Sequence, residues 1–244
     1  MQVGWLEQRL ADVRDEPDWL SARELERMAQ LRIPKRRDDW RLGRWTAKNA
    51  TAAYLHLPHD RATLRTIEIH PANSGAPAVF LANQPAPVSI SLSHRAGRAI
   101  CAIAPAGRKL GCDLEFVEPR SEAFLADYFT AREQGLIAQA GDARLRVIAL
   151  LWSAKESTLK ALQEGLRIDP RSIEVSFADC SNISGGSRAS FPDFCSSANW
   201  QPLRSRYQAH EFHGCWQFAN EFVRTVVSGH TSPAPVLLTI PVSR

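Results

Sequence analysis

Apolar and polar positions divide the chain into alternating helical and extended stretches. Ser21-Ala22-Arg23-Glu24 has the form of a capping box, which predicts a short helix from that point. Pro34 favours a new start. Residues 35 to 56 then place Leu42, Trp45, Asn49, Ala52 and His56 along one side of a helix, which Pro58 ends. Leu64 to His70 alternates like a strand, and Pro71 to Pro77 is turn chemistry. Val88, Ile90 and Leu92 alternate with serines in a half-buried strand ending at His94, and Ala99 to Ala104 makes a second strand. Pro105-Ala106-Gly107 breaks the pattern, which sets the expected domains at 1–106 and 107–244.

The second half opens with a strand from Leu110 to Val117. Glu122 to Phe129 reads as a helix, and Thr130-Ala131-Arg132-Glu133 is another capping box. A long helix covers about 143 to 163, with Gly165 as its C-terminal stop. Ile173 to Phe177 is a strand, and residues 179 to 199, rich in Ser, Asn and Gly, read as a long loop. Strands around Tyr207, Trp216 and Val223 to Val227 complete a sheet, and the tail after Pro233 is extended. No periodic sequence repeat is evident, although helix followed by strands occurs in each half.

Composition narrows the class. The 244 residues suffice for one large domain or two small ones. No apolar run approaches a membrane span, and the first residues lack a basic and apolar leader pattern. Five scattered cysteines without a Cys-x-x-Cys pair argue against a zinc site or a disulfide framework. A cytoplasmic protein with no membrane partner is therefore expected. Net charge is +4, but Arg32, Lys35, Arg36, Arg37, Arg41, Arg44 and Lys48 crowd one stretch. Such a run is either a solvated helix face or a site for phosphates or an acidic partner. The chain as a whole is not basic enough to suggest nucleic acid.

The chemistry concentrates in Trp152-Ser153-Ala154-Lys155-Glu156-Ser157-Thr158 and Lys160. On a helix of 3.6 residues per turn, Trp152, Glu156 and Lys160 share one face. Upstream, Asp113 and Glu115 in Gly111-Cys112-Asp113-Leu114-Glu115 point the same way from a strand. With Glu156 they can hold one hard cation. The same spacings also describe a solvated Glu–Lys pair beside a core Trp and an exposed strand face.

The order of these motifs, preceded by Ser-Leu-Ser-His at 91 to 94, resembles the 4′-phosphopantetheinyl transferases of the single-chain, two-halved type. The resemblance spans about Lys35 to Lys160. It implies an α+β fold of two similar subdomains related by a pseudo-two-fold, with the active site in the cleft between them. It implies transfer of the phosphopantetheine arm of coenzyme A to a serine of an apo carrier protein, with release of adenosine 3′,5′-bisphosphate. It implies Mg²⁺ held by Asp113, Glu115 and Glu156, with Glu156 and Lys160 in the catalytic step. Glu156 is left open between ligand and base. Lys155, Ser93 and His94 match positions that contact the phosphates of coenzyme A. Arg37 and Arg44, with Lys35 and Lys48 behind them, match the region that meets its 3′-phosphate, ambiguous by a helical turn. The segment around Phe129 and Arg132 is a candidate surface for an acidic carrier protein. One departure is clear: the family's Gly-[Lys/Arg]-Pro is here Gly75-Ala76-Pro77, so that phosphate contact is either absent or supplied from elsewhere, with Arg95 as a candidate.

Two rivals are weaker. A different nucleotide-dependent phosphotransferase would need a glycine-rich phosphate cradle, and none is present. A non-catalytic carrier-binding module of the same fold would be expected to lose Asp113, Glu156 or Lys160, and all three remain. A monomer would suffice, since both halves lie in one chain.

Overall fold

Two main sheets, each crossed by one long helix, organise the two compact units of the chain: residues 1–110 with 235–244, and residues 111–234. This computed structural model describes residues 2–177 and 199–240. The expected loop at 179 to 199 falls almost wholly outside the described residues.

The first unit begins with β1 (Gly4–Arg9) and the short α1 (Ala22–Ala29). Ser21 caps α1: its Oγ accepts from Glu24 N at 3.3 Å, while Ser21 N donates to Glu24 Oε2 at 3.2 Å. Next comes α2 (Pro34–Tyr54), started by a proline whose missing N–H a helix does not need there. The expected strand from Leu64 is corrected. Asp60 Oδ1 accepts from Thr63 N at 2.8 Å and caps α3 (Arg61–Thr66), so β2 starts only at Ile67 and runs to Pro71. It forms a small sheet with β3 (Pro77–Leu81) and β4 (Gln84–Pro85). Strands β5 (Val88–Arg95) and β6 (Arg98–Pro105) form a hairpin beside β1, and α2 packs across all three.

The second unit contains β7 (Leu110–Phe116), α4 (Glu122–Tyr128), α5 (Ala131–Gln139) and α6 (Arg144–Leu162). Strands β8 (Glu174–Phe177), β9 (Gln201–Tyr207), β10 (His210–Ala219) and β11 (Phe222–Ser228) follow, in the order β7-β11-β10-β9-β8. α6 lies on β11 and stops when Gln163 takes the left-handed conformation (φ 61), its N–H donating to the Lys160 carbonyl. Gly165, the expected stop, instead opens a short 3-10 turn.

The chain crosses between units at Leu110 and Gly111 rather than at 106, and its tail returns to the first unit. A last strand, β12 (Val236–Leu237), pairs parallel with β1. Leu238 and Ile240 pack on the first core.

The expectation of no repeat is overturned. Asp18-Trp19-Leu20-Ser21-Ala22-Arg23-Glu24 reappears as Asp127-Tyr128-Phe129-Thr130-Ala131-Arg132-Glu133. Trp45-Thr46-Ala47-Lys48-Asn49-Ala50-Thr51 reappears as Trp152-Ser153-Ala154-Lys155-Glu156-Ser157-Thr158. The copies do the same work. In each unit the capping-box glutamate binds a fully buried lysine of the long helix: Glu24 with Lys48 at 2.5 Å, Glu133 with Lys155 at 3.0 Å. Lys48 Nζ donates to the carbonyls of Trp19 and Leu64 at 3.2 and 2.9 Å; Lys155 Nζ donates to those of Pro170 and Ile173, both at 2.8 Å. Trp19 and Phe129 place a ring beside the respective ammonium, at 5.7 and 6.0 Å.

Candidate functional site

Gly111 determines how closely β7 and α6 approach. A Cβ there would stand 1.7 Å from the Ser157 carbonyl oxygen, so only glycine lets the strand run against this helix. That approach brings Asp113 to the face of α6 bearing Glu156 and Lys160. Lys160 Nζ donates to Asp113 Oδ1 at 2.6 Å and to the Cys112 carbonyl at 3.1 Å. Asp113 is buried, while the Lys160 side chain keeps partial exposure. Burial opposes the charge on Lys160, but Asp113, Cys112 and Glu156 outweigh it, and its pKa is raised. Glu156 is pushed above the usual carboxylate value by burial and by the charge of Asp113, with Lys160 pulling the other way. Two carboxyl groups and one ammonium thus share a partly desolvated corner.

Glu115 does not join them. Its Oε2 accepts from Arg120 at 3.0 Å and its Oε1 from the Trp152 indole N–H at 3.1 Å. Among the described residues no group of three or more His, Cys, Asp or Glu is arranged to hold a metal ion. The hard oxygens of Asp113 and Glu156 nonetheless fit Mg²⁺, which is usually held by one or two carboxylates together with phosphate oxygens.

Lys155, expected near the pyrophosphate, is 0% exposed and spends its protons on Glu133 and two carbonyls. Burial lowers its pKa despite Glu133. It belongs to the core. Lys48 is corrected for the same reason: it is 0% exposed and bound to Glu24, with burial again lowering its pKa. Phe129 is also interior, at 1% exposure, so it offers no docking surface; Arg132 is exposed.

The remaining candidates lie in the first unit. Lys35 is exposed on α2 and pairs with Asp39 at 2.6 Å; Arg37 is exposed. Arg44 is mostly buried, 3.8 Å from Glu24 and 4.9 Å over the Trp40 ring, and burial lowers its pKa. Ser93 and His94 lie at the end of β5 opposite Ile100 and Ala99, the serine half-buried and the histidine exposed.

Sequence reasoning missed three residues. Glu24 and Glu133 were assigned to helix caps alone, although a capping-box glutamate keeps spare acceptor capacity. Arg120, in the segment after β7, left no periodic signal.

Residues 109–226 match the family model described as the 4'-phosphopantetheinyl transferase superfamily. The matched segment is just under half of the chain. The match covers β7, α6 and the Asp113–Glu156–Lys160 corner, and it bears out the resemblance read from the motifs. No curated protein matches the chain. Among solved structures, the chain is similar to the Helicobacter pylori holo-[acyl-carrier-protein] synthase (AcpS) crystallised in complex with coenzyme A. The identity is 18%, covering 43% of this chain and 99% of that one, with a TM-score of 0.30. At that score the likeness carries no argument for function.

Proposed function

We propose that the protein transfers the 4′-phosphopantetheine arm of coenzyme A to a serine of an apo carrier protein. The observation that supports this best is the half-buried corner of Asp113, Glu156 and Lys160 within the region that matches the transferase superfamily. In this reading the serine oxygen attacks the pantetheine-side phosphorus, and the bond to adenosine 3′,5′-bisphosphate breaks. The carboxylate of Glu156, more basic than an ordinary one, accepts the serine proton. Lys160, held charged by Asp113, stabilises the negative oxygen of the departing phosphate. Mg²⁺, held by Asp113 and Glu156, would neutralise the pyrophosphate. Arg37, Arg44 and Lys35, with Ser93 and His94, are proposed to bind the phosphates of coenzyme A. They offer charge-assisted donors of the kind phosphate takes.

The test is the mass of apo acyl, peptidyl and aryl carrier proteins after incubation with the protein, coenzyme A and Mg²⁺. One carrier serine should gain one phosphopantetheine. The gain should vanish with EDTA and with Asp113→Asn. No modified carrier together with no coenzyme A binding would defeat the reading, and full activity of Asp113→Asn would defeat the metal assignment.

A further inference from the structure

We propose that Glu115 is a positioning residue: through Arg120 and Trp152 it fixes α4 against α6 beside Glu156, and it does not ligate the metal. This rests on the proposed transferase reading. Both Glu115 oxygens are committed, one to the Trp152 indole at 3.1 Å and one to the Arg120 guanidinium at 3.0 Å. Arg120 continues the chain of contacts. Its other terminal nitrogen is 3.1 Å from Glu118, and its guanidinium lies 5.1 Å over the Phe124 ring of α4. Phe124 meets Trp152 edge-on at 5.1 Å, and Tyr128 meets the same indole at 4.9 Å. The contacts close a ring: β7 to Arg120, Arg120 to α4, α4 to Trp152 on α6, and Trp152 back to β7. Trp152 stands one turn before Glu156 on the same helix face.

The first unit supplies an internal control. Trp45 is the counterpart of Trp152, and its indole nitrogen is buried with no hydrogen-bond partner among the described residues. The long helix therefore sits on its sheet there without a carboxylate at that indole. The Glu115–Trp152 bond is an addition made in the unit that carries Glu156 and Lys160. A metal on Glu115 would have to share these oxygens with the indole N–H and the guanidinium, and turning the carboxylate away from either donor would open the ring that orients α4.

Three variants test this: Glu115→Gln, Arg120→Met and the double. Calorimetry of Mg²⁺ in the presence of coenzyme A, steady-state kinetics with an apo carrier, and hydrogen exchange of α4 are read together. Misplacing a catalytic helix face is costly, so each single variant should lower kcat about tenfold, with KM for coenzyme A and the Kd for Mg²⁺ unchanged. Amides of Glu122–Tyr128 should exchange faster in both, and the double variant should be no worse than the poorer single, as expected for residues acting through one link. If Glu115→Gln weakens Mg²⁺ binding while Arg120→Met does not, Glu115 is a ligand and the proposal is overturned. Unchanged α4 exchange in both variants overturns it as well. A wild-type protein that binds neither Mg²⁺ nor coenzyme A would defeat the transferase reading instead, and with it the positioning role. The exchange data would still decide whether Glu115 holds α4.

Discussion

Lys155→Met separates a lysine of the fold from a lysine of the pyrophosphate site, and Lys48→Met is its built-in control. Methionine keeps much of the length and apolar character of the lysine stem but removes the ammonium. In the second unit that leaves the carbonyls of Pro170 and Ile173 without their donor and strips Glu133 Oε2 of its counter-charge. The carboxylate retains only Thr130, whose backbone N and hydroxyl donate to it at 2.8 and 3.0 Å. Removing one member of a buried ion pair costs about 3–5 kcal/mol. Domains have about 5–15 kcal/mol of stability, so each variant should still fold. With a urea slope of about 2 kcal/mol/M, the unfolding midpoint of the affected unit should fall by about 2 M. Lys48→Met removes the same arrangement from the first unit and should cost a similar amount there. Equilibrium urea unfolding, resolved by hydrogen exchange in the strands of each unit, reads both. Glu133→Gln with Lys155→Met should lose less than the two single costs added, because the uncompensated charge is gone. The reasoning is refuted if Lys155→Met shifts the midpoint negligibly and instead weakens coenzyme A binding tenfold or more.

Glu156→Gln should cut kcat by about 10²–10⁴-fold if its carboxylate takes the serine proton, and the wild-type rate should decline with falling pH at a point above the usual carboxyl value of 4.5. The same variant should be more stable than wild type at neutral pH. A carboxyl whose pKa is raised by folding is protonated in both states at low pH and costs nothing there; the unfolded chain ionises first as pH rises, and the penalty is complete above the raised value. Thermal melts at pH 3 and pH 7 check this, and an equal Tm difference at both pH values would contradict it. Gly111→Ala should destabilise the second unit by about 1–3 kcal/mol or more, since the added carbon would overlap the Ser157 carbonyl. Urea unfolding of that variant measures the loss, and wild-type stability would disprove the close approach of β7 to α6.

Much of the fold was legible because caps and alternation are local. Ser21 and Thr130 announce α1 and α5, and the alternating serines of β5 mark a half-buried strand. Leu64 to His70 misled because a helix capped by Asp60 ends where the strand begins, and seven residues cannot display both periods. The domain boundary was misplaced because the glycine and proline at 105 to 107 mark only a turn, whereas the unit is closed by tail residues that pair with β1 across the whole length of the chain. Motif order placed Asp113, Glu156 and Lys160 in one site but did not show the ion pair between Lys160 and Asp113, at 2.6 Å. Lys48 and Lys155 were misread because sequence shows the charge of a lysine but not the carbonyls waiting for it in the core.

The duplication offers a criterion that needs no other sequence. Where the two long helices agree, the residue serves the fold in both places: Lys48 and Lys155 hold the capping-box glutamates, and Thr51 and Thr158 each bond the carbonyl four residues back, at 2.8 Å. Where they differ, the second unit has gained chemistry. Asn49 occupies the place of Glu156, and it uses its amide locally, donating to the Trp45 carbonyl at 2.9 Å and meeting His59 at 3.1 Å. Ala53 occupies the place of Lys160. A helix of this kind therefore forms without the acid and the cation, so their presence beside Asp113 is not required by packing. Burying a carboxyl near another of like charge is destabilising, and the fold bears that cost in one unit only. The two residues that packing does not explain are those the proposed transfer reaction uses.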